Sequence, residues 1–385
     1  MLPHGHRAVT PPIPLTRRLF HGMRTEGAGP GREAVAVAVG FFIGCTPLYG
    51  LHLILVFFVG WLVRLNRLKM YIAANISNPL FAPLLVLVEI QAGAWLRRGQ
   101  FHELTVEAIR STDPWTFGLD LLLGSLVIGS VGGLVAGIVT YATSRRHGPF
   151  DVIAAAAADR YLQGGIVAWE FAKGKLRKDP LYREVLVGGL LDSRQTLVDV
   201  GCGQGLMLAL LAEARARVAG STWPATLPRP PVLEQLIGIE LRPRIARLAS
   251  RALEGEASIV CGDASEVEFP SASAALLFDV LHMMDRDEQE ALLRSIRRRM
   301  PPDAVLLVRE ADAGGGAAFQ FVRFGNGLKA FFTGNWRQRF AFRSAQEWCR
   351  LFRETGFEPE TRNMNSGTPF ANMLFTLRPV NAQRS

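Results

Sequence analysis

The spacing of apolar positions changes near residue 147. Before it they form long unbroken runs; after it they come in short runs separated by amphipathic or polar stretches. Ala34 to Val63 contains no Asp, Glu, Lys or Arg. Met70 to Leu96 contains only Glu89, and Trp115 to Thr143 only Asp120. About 20 apolar residues span a bilayer, so each run is long enough. The first is interrupted by Gly44-Cys-Thr-Pro-Leu-Tyr-Gly50, where Pro47 removes a helical hydrogen bond. This predicts two half-length helices in a re-entrant hairpin, with one kinked, tilted span as the competing geometry. Basic residues at both ends (Arg17, Arg18, Arg24 and Arg32; Arg64, Arg67 and Lys69) favour the hairpin, because positive charge tends to stay cytoplasmic. The second run is broken by Asn75-Ile-Ser-Asn-Pro-Leu80 and Pro83. The third carries Gly124, Ser125, Gly129, Gly132, Gly133 and Gly137, small residues that let helices approach closely in lipid. Arg145 and Arg146 close it on the cytoplasmic side. A soluble domain of buried helices is the alternative.

After Gly148-Pro149, Asp151 is placed to cap an alanine-rich helix, and an amphipathic pattern continues to Val187. Lys173, Lys175, Arg177 and Lys178 there suit either anionic headgroups or a solvated face. Apolar runs then recur as Leu197–Val200, Leu236–Leu241, Ala257–Asp263, Ala274–His282 and Asp303–Ala311, with two more near Glu358–Asn363 and Phe370–Leu377. Helical stretches lie between them, notably Asp287–Arg299 and Arg343–Thr355. This alternation predicts an open, mainly parallel α/β sheet. Ser221 to Val232, with Pro224, Pro228, Pro230 and Pro231, reads as a surface loop. The expected organisation is a basic segment over 1–30, a helical integral-membrane domain over 31–146, a helical linker or cover over 147–190, and the α/β domain over 191–380.

Composition adds two constraints. The formal net charge of +9 suggests attraction to a polyanion, nucleic acid or an anionic bilayer. Arginines flanking the apolar runs favour the bilayer. The four cysteines, Cys45, Cys202, Cys261 and Cys349, are scattered without a C-x-x-C, which indicates neither a zinc site nor a disulfide framework and suits a reducing cytoplasm.

The candidate chemistry begins at Leu197-Val-Asp-Val-Gly-Cys-Gly-Gln-Gly205, an apolar strand ending in an acid, then alternating glycines and an apolar helix. Such a turn visits positive φ and brings backbone against a nucleotide-like ligand. The dinucleotide fingerprint wants glycines at positions one, three and six. Here the sixth position is Leu206, which favours S-adenosylmethionine over NAD. Glu240, at the end of the second strand, is the candidate for the ribose diol. Asp263, ending the third, is the candidate for the adenine amino group, with the backbone amide of Ala264 beside it.

Two resemblances follow from these residues. Gly40-Phe-Phe-Ile-Gly-Cys-Thr-Pro-Leu-Tyr-Gly-Leu-His52, together with Arg64-Leu-Asn66 and Asn75-Ile-Ser-Asn-Pro79, resembles the signatures of a family of bacterial integral-membrane domains of unknown function, over residues 15 to 145. Its members occur alone or fused to glycosyltransferases and methyltransferases, which implies an anchoring or lipid-presenting role. Thr46, His52, Asn75 and Asn78 are costly in lipid; they are either functional or satisfy backbone freed by the prolines. Residues 180 to 378 resemble the class I S-adenosylmethionine-dependent methyltransferases, which implies a Rossmann-like doubly wound fold. The resemblance implies that Asp199 reaches the methionine ammonium, and that Gly201, Cys202, Gly203, Gln204 and Gly205 form the loop beneath the cofactor. It also implies that Asp279 to His282 line the methyl-transfer site. His282 matches a histidine used as a base in some O-methyltransferases; Asp279 and Asp285 are weaker candidates for that role. The long proline-rich loop sets Glu240 farther from the glycines than in the family.

Phe319, Phe321, Phe324, Phe331, Phe332, Trp336 and Phe340, interleaved with Arg323, Lys329, Arg337 and Arg339, suit an apolar or lipid-like acceptor, core packing or a membrane interface. The expected protein is a methyltransferase anchored in a bacterial inner membrane by a multi-pass or re-entrant domain. Its catalytic domain is cytoplasmic, its partner the lipid bilayer and its acceptor lipid-linked or amphiphilic. No metal and no nucleic-acid partner are expected. A non-catalytic cofactor sensor on a transport or lipid-handling core is the alternative; a nicotinamide oxidoreductase and a nucleic-acid methyltransferase are weaker ones.

Overall fold

The structure is a computed structural model. It describes residues 14–26, 29–103, 113–144, 148–191, 194–267, 269–316, 318–320, 322–324, 340–365 and 371–380. The chain divides at Gly148/Pro149 into two units.

Among its described residues the N-terminal unit is built of helices joined by turns, with no strand. Helix α1 (Leu15–Thr25) precedes the first apolar run, which folds as two helices, α2 (Pro30–Cys45) and α3 (His52–Leu62), joined by the proline turn. The second run is also broken. Helix α4 (Arg67–Ala74) ends in a 3-10 turn at Asn75–Ser77, and α5 (Ala82–Arg98) leaves it at an angle of 77°. The third run is one continuous helix, α6 (Pro114–Ser144), long and apolar enough by length and composition to cross a membrane.

Polar side chains at the two breaks bond mainly to backbone. Thr46 Oγ1 donates to the Ile43 carbonyl (2.6 Å), and His52 Nε2 meets the Thr46 carbonyl (2.9 Å). Asn75 Nδ2 donates to Tyr71 (2.7 Å), and Asn78 Oδ1 accepts from the amides of Leu80 and Phe81. Chain breaks leave such groups orphaned, and nearby polar side chains satisfy them. The small residues set the packing: a Cβ at Gly40 or Gly44 would collide with the backbone of α4, and one at Gly93 with the backbone of α6.

The C-terminal unit opens with three helices, α7 (Pro149–Asp159), α8 (Ile166–Lys178) and α9 (Pro180–Val187). Because α7 begins at Pro149, Asp151 lies inside its first turn and not at the residue before it; its carboxylate pairs with Arg177 (3.3 Å). The sheet elements follow as β1 (Arg194–Val200), α10 (Leu206–Ala219), β2 (Leu233–Glu240), α11 (Pro243–Ala252), β3 (Ser258–Cys261) and β4 (Ala274–Phe278). They continue as α12 (Arg286–Arg299), β5 (Val305–Ala311), α13 (Ala345–Glu354), β6 (Phe357–Asn363) and β7 (Asn372–Pro379). The strand order is β3-β2-β1-β4-β5-β7-β6. The first five run parallel, and β7 is antiparallel to both neighbours. This is the expected Rossmann-like doubly wound sheet. The chain order reverses between β1 and β4, where such sheets open a crevice beyond their carboxyl ends.

Two strands are shorter than the apolar runs that announce them. β3 stops at Cys261, where Gly262 and Asp263 turn away. β4 stops at Phe278 because Asp279 adopts φ +58°, a left-handed conformation, and the chain then winds into a 3-10 turn at Leu281–Met283.

Candidate cofactor and active site

Strand β1 delivers Asp199 to the sheet's carboxyl edge, paired in register with Gly238 on one side and Leu276 on the other. The chain then turns through Gly201, Gly203 and Gly205, all with positive φ. The amides of Gly201 and Cys202 donate to the Ile239 carbonyl (2.8 and 3.0 Å), pinning the turn to β2. A Cβ at Gly201 would strike the Val280 side chain, whereas the space beyond Gly203 is open. Tyr161, buried in the helices before the sheet, donates its hydroxyl to the Gln204 carbonyl (2.8 Å). Cys202 is half-buried in the same turn, and burial pushes its thiol upward, so it is a packing group here.

Asp199 is buried, and among the described residues no donor hydrogen-bonds to its carboxylate. Burial, and secondarily the charge of Glu240, push its pKa up to about 8. A buried acid at a glycine turn with no partner of its own fits a group that brings a cation. Glu240 is differently placed. Burial works to raise it, but Arg242 holds it below the usual carboxylate range, donating from its backbone amide (2.9 Å), Nε (2.7 Å) and Nη2 (3.2 Å). Asp263 accepts from the Ser265 amide and hydroxyl (2.8 and 2.7 Å), bonds that lower its pKa and fix the turn after β3, with Ala264 inside that turn. Its carboxylate is therefore already engaged.

Strand β5 contributes what the sequence reading missed. Arg309 and Glu310 are adjacent and both buried in this otherwise apolar strand. Successive strand residues face opposite sides of a sheet, so each serves a different site. Arg309 grips Asp279, including an Nε–Oδ1 bond of 2.9 Å, and binds both carboxylate oxygens of Asp179 (2.9 and 2.7 Å). Burial opposes ionisation of Asp279 and Asp179, but the guanidinium holds both below the usual range. The Asp279 carboxylate is thus committed to Arg309, and Asp179 also caps α9 through the Leu181 amide (3.1 Å).

Glu310 faces His282. Its Oε2 meets His282 Nδ1 at 2.7 Å, and its Oε1 accepts the amides of Val280 (3.1 Å) and Leu281 (2.7 Å). A carboxylate accepting from Nδ1 selects the Nδ1–H tautomer, the one that suits a base acting through Nε2. The buried imidazole stacks on Phe342 (centroids 4.8 Å, planes 9° apart), with Phe340 at 6.0 Å. Gln289 ties this wall together by donating to the carbonyls of Leu281 and Ala341 (2.9 Å each). Asp285 caps α12 in a capping box with Glu288, so it is structural. Of the aromatic segment, Phe321, Phe331, Phe332 and Trp336 lie outside the described residues, as do Lys329, Arg337 and Arg339. Phe319 is buried, and Phe324 and Arg323 are exposed. The one available signal for Glu310 was two adjacent charges inside an apolar central strand.

Residues 169–361 match the family described as a methyltransferase domain. The chain belongs to this methyltransferase family. Its cofactor is S-adenosylmethionine, and the unpartnered Asp199 beside the open Gly203 turn fits the cofactor's ammonium. Residues 15–148 match an uncharacterized protein family conserved in bacteria, DUF2062, in agreement with the resemblance read from the two breaks. Among curated proteins, mitomycin biosynthesis 6-O-methyltransferase of Streptomyces lavendulae is 34% identical over 113 residues, 29% of each chain. Similar solved structures include an O-methyltransferase family protein from Burkholderia thailandensis, with TM-score 0.41, 16% identity, and coverage of 58% of this chain and 63% of that one. Another is the 1,6-didemethyltoxoflavin-N1-methyltransferase of the same organism, with TM-score 0.37, 17% identity, and coverage of 61% and 92%. The chain thus spans less than two thirds of the first two of these proteins.

Proposed function

We propose that the protein is an S-adenosylmethionine-dependent methyltransferase of O-methyltransferase type, anchored by its N-terminal unit in a bacterial inner membrane, with the catalytic unit in the cytoplasm. The acceptor is a membrane-associated or amphiphilic molecule bearing a hydroxyl. One observation carries the hydroxyl: the buried His282–Glu310 pair follows directly on Val280, whose side chain lies against Gly201 of the cofactor turn.

S-adenosylmethionine supplies an activated methyl on a sulfonium. The chain supplies alignment, exclusion of water and removal of one proton. Asp199 would receive the ammonium, the turn from Gly201 to Gly205 would lie beneath the methionine portion, and Glu240 would face the ribose. Asp263 and Ala264 would stand at the adenine end. His282 takes the acceptor's hydroxyl proton on Nε2, and Glu310 orients the ring and stabilises the imidazolium. Asp279 shapes the site through its left-handed backbone, which Arg309 holds in place. For the membrane anchor, support comes from α6, from the bent α4–α5 pair and from the many large apolar side chains that face outward on the N-terminal helices.

The test uses the full-length protein in detergent. Binding of S-adenosylmethionine is compared with NAD, and native membrane extract is then incubated with the methyl-labelled cofactor. Binding of S-adenosylmethionine followed by a labelled lipid or amphiphile is the expected result. Preference for NAD ends this reading, and binding without any labelled product favours the cofactor sensor. His282→Ala is expected to lower kcat by about 10²–10⁴ while leaving cofactor affinity in place, the range for a lost general base.

A further inference from the structure

Two acids are fully buried among the described residues of the N-terminal unit, and their surroundings are opposite. Asp120 on α6 is met by three donors: Arg97 Nη1 (2.7 Å), Arg98 Nη2 (2.8 Å) and His102 Nε2 (2.7 Å). Glu89 on α5 is equally buried, yet among the described residues no nitrogen or oxygen donor meets its carboxylate, and only the weakly donating Cys45 thiol approaches it.

The elements packed around Glu89 explain why no metal ion is expected to fill the gap. Helix α6 lays Gly124 against the Glu89 backbone so closely that a Cβ there would overlap the Glu89 carbonyl. Its neighbour Ser125 donates its hydroxyl to the Leu122 carbonyl (2.9 Å) and offers Glu89 nothing. Helix α2 and the turn after it present Cys45 and Tyr49, the titratable groups that face Glu89; no Arg, Lys or His faces it among the described residues. One carboxyl, one thiol and one phenol in close-packed backbone are too few ligands for a hard metal ion, which takes about six oxygens. An ionised carboxylate here has lost its water and gained no compensating charge, so the neutral form is favoured.

We propose that Glu89 is a proton-binding site of the N-terminal unit. The carboxylate takes up one H⁺ to form a neutral carboxyl, and it releases that proton only when the contact between α5 and α6 opens to admit water or a cation. Ionisable groups enclosed by apolar helices serve proton relays in this way, and Asp120, locked by three donors, does not. The proposal rests on the helical unit alone and stands or falls independently of methyl transfer.

The experiment treats the full-length protein in detergent with dicyclohexylcarbodiimide, which adds to a protonated carboxyl in apolar surroundings to give an N-acylurea, and maps the adduct by peptide mass. Modification of Glu89, declining as the buffer is made alkaline, with Asp120 unmodified, is the expected result. No adduct at Glu89, or equal modification of both acids, overturns the proposal. Infrared spectroscopy gives a second reading. The carboxylic-acid C=O band assigned to this site is expected in the native protein and absent in Glu89→Gln, which is neutral and nearly isosteric. An identical band in both proteins overturns the proposal as well. If Glu89→Gln fails to fold, the labelling of the native chain decides alone.

Discussion

The two units turn different kinds of side chain outward. In the N-terminal unit large apolar groups point outward: Trp61 is 67% exposed, Ile54 65% and Leu134 64%, while glycines and two acids lie inside. In the C-terminal unit Trp169, Trp348, Phe352 and Phe375 are enclosed, and the described arginines lie mostly at the surface. Its buried acids Asp199, Glu240 and Glu310 are exceptions that gather at the carboxyl ends of the strands. A polypeptide places outward what its surroundings tolerate. The C-terminal pattern is written for water, and the N-terminal pattern supports the proposed bilayer. A buried acid therefore has different meanings: beside a turn shaped for a ligand it suits a cofactor site, and beside two arginines and an imidazole it is a structural lock.

Substitutions can sharpen or break this contrast. Trp348→Ala, in the core of the C-terminal unit, should destabilise that unit by about 3–5 kcal/mol, seen as a lower denaturation midpoint. A loss under about 1 kcal/mol would mean that this core is not the water-excluding one described. Asp199→Asn should weaken S-adenosylmethionine by roughly 10–100-fold, the scale of one lost charge-assisted contact. The acid's raised pKa adds a sign. Below about 8 Asp199 is largely protonated, so binding a cationic cofactor releases a proton, and above it the release fades. Calorimetry in buffers of different ionisation enthalpy reads this directly, and Asp199→Asn should abolish it. Glu310→Gln should reduce kcat by about tenfold, with a smaller change in KM and a shifted pH profile, because it alters the imidazole's partner and not the base itself. Smallest is Trp61→Ala. It should change the unit's thermal stability by under about 0.5 kcal/mol, the scale for an exposed position, yet reduce partition into lipid vesicles. A large loss of stability there would mean the outward face is covered by protein.

Much of this arrangement is legible in the sequence because it is local. A glycine turn between an acid-ended strand and a helix is contiguous in the chain, and so is a proline break in an apolar run. A mainly parallel sheet followed from the alternation of runs, whereas the order of its strands came only from the structure. Less visible were the relations that join distant segments. Asp179 and Arg309 are 130 positions apart, and nothing in either neighbourhood announces the other. Asp279 was read as lining the methyl-transfer site and as a weaker base candidate; that Arg309, 30 positions on, engages its carboxylate was not visible. The polar residues at the helix breaks left two readings open, and their bonds to freed backbone groups account for Thr46, Asn75 and Asn78.

By itself the sequence determined the class of each unit, the position of the cofactor turn and the candidate base, since hydropathy period, glycine spacing and strand-end acids all act over a few residues. The tertiary structure alone decided which charges are satisfied. Whether a buried acid meets three donors, one imidazole or none depends on which segments are brought together, and sequence distance carries no record of that. Glu89 and Asp120 look alike in their apolar runs, and Glu310 looks like any acid in a strand. Only the packing around them separates the lock, the histidine's partner and the proposed proton site.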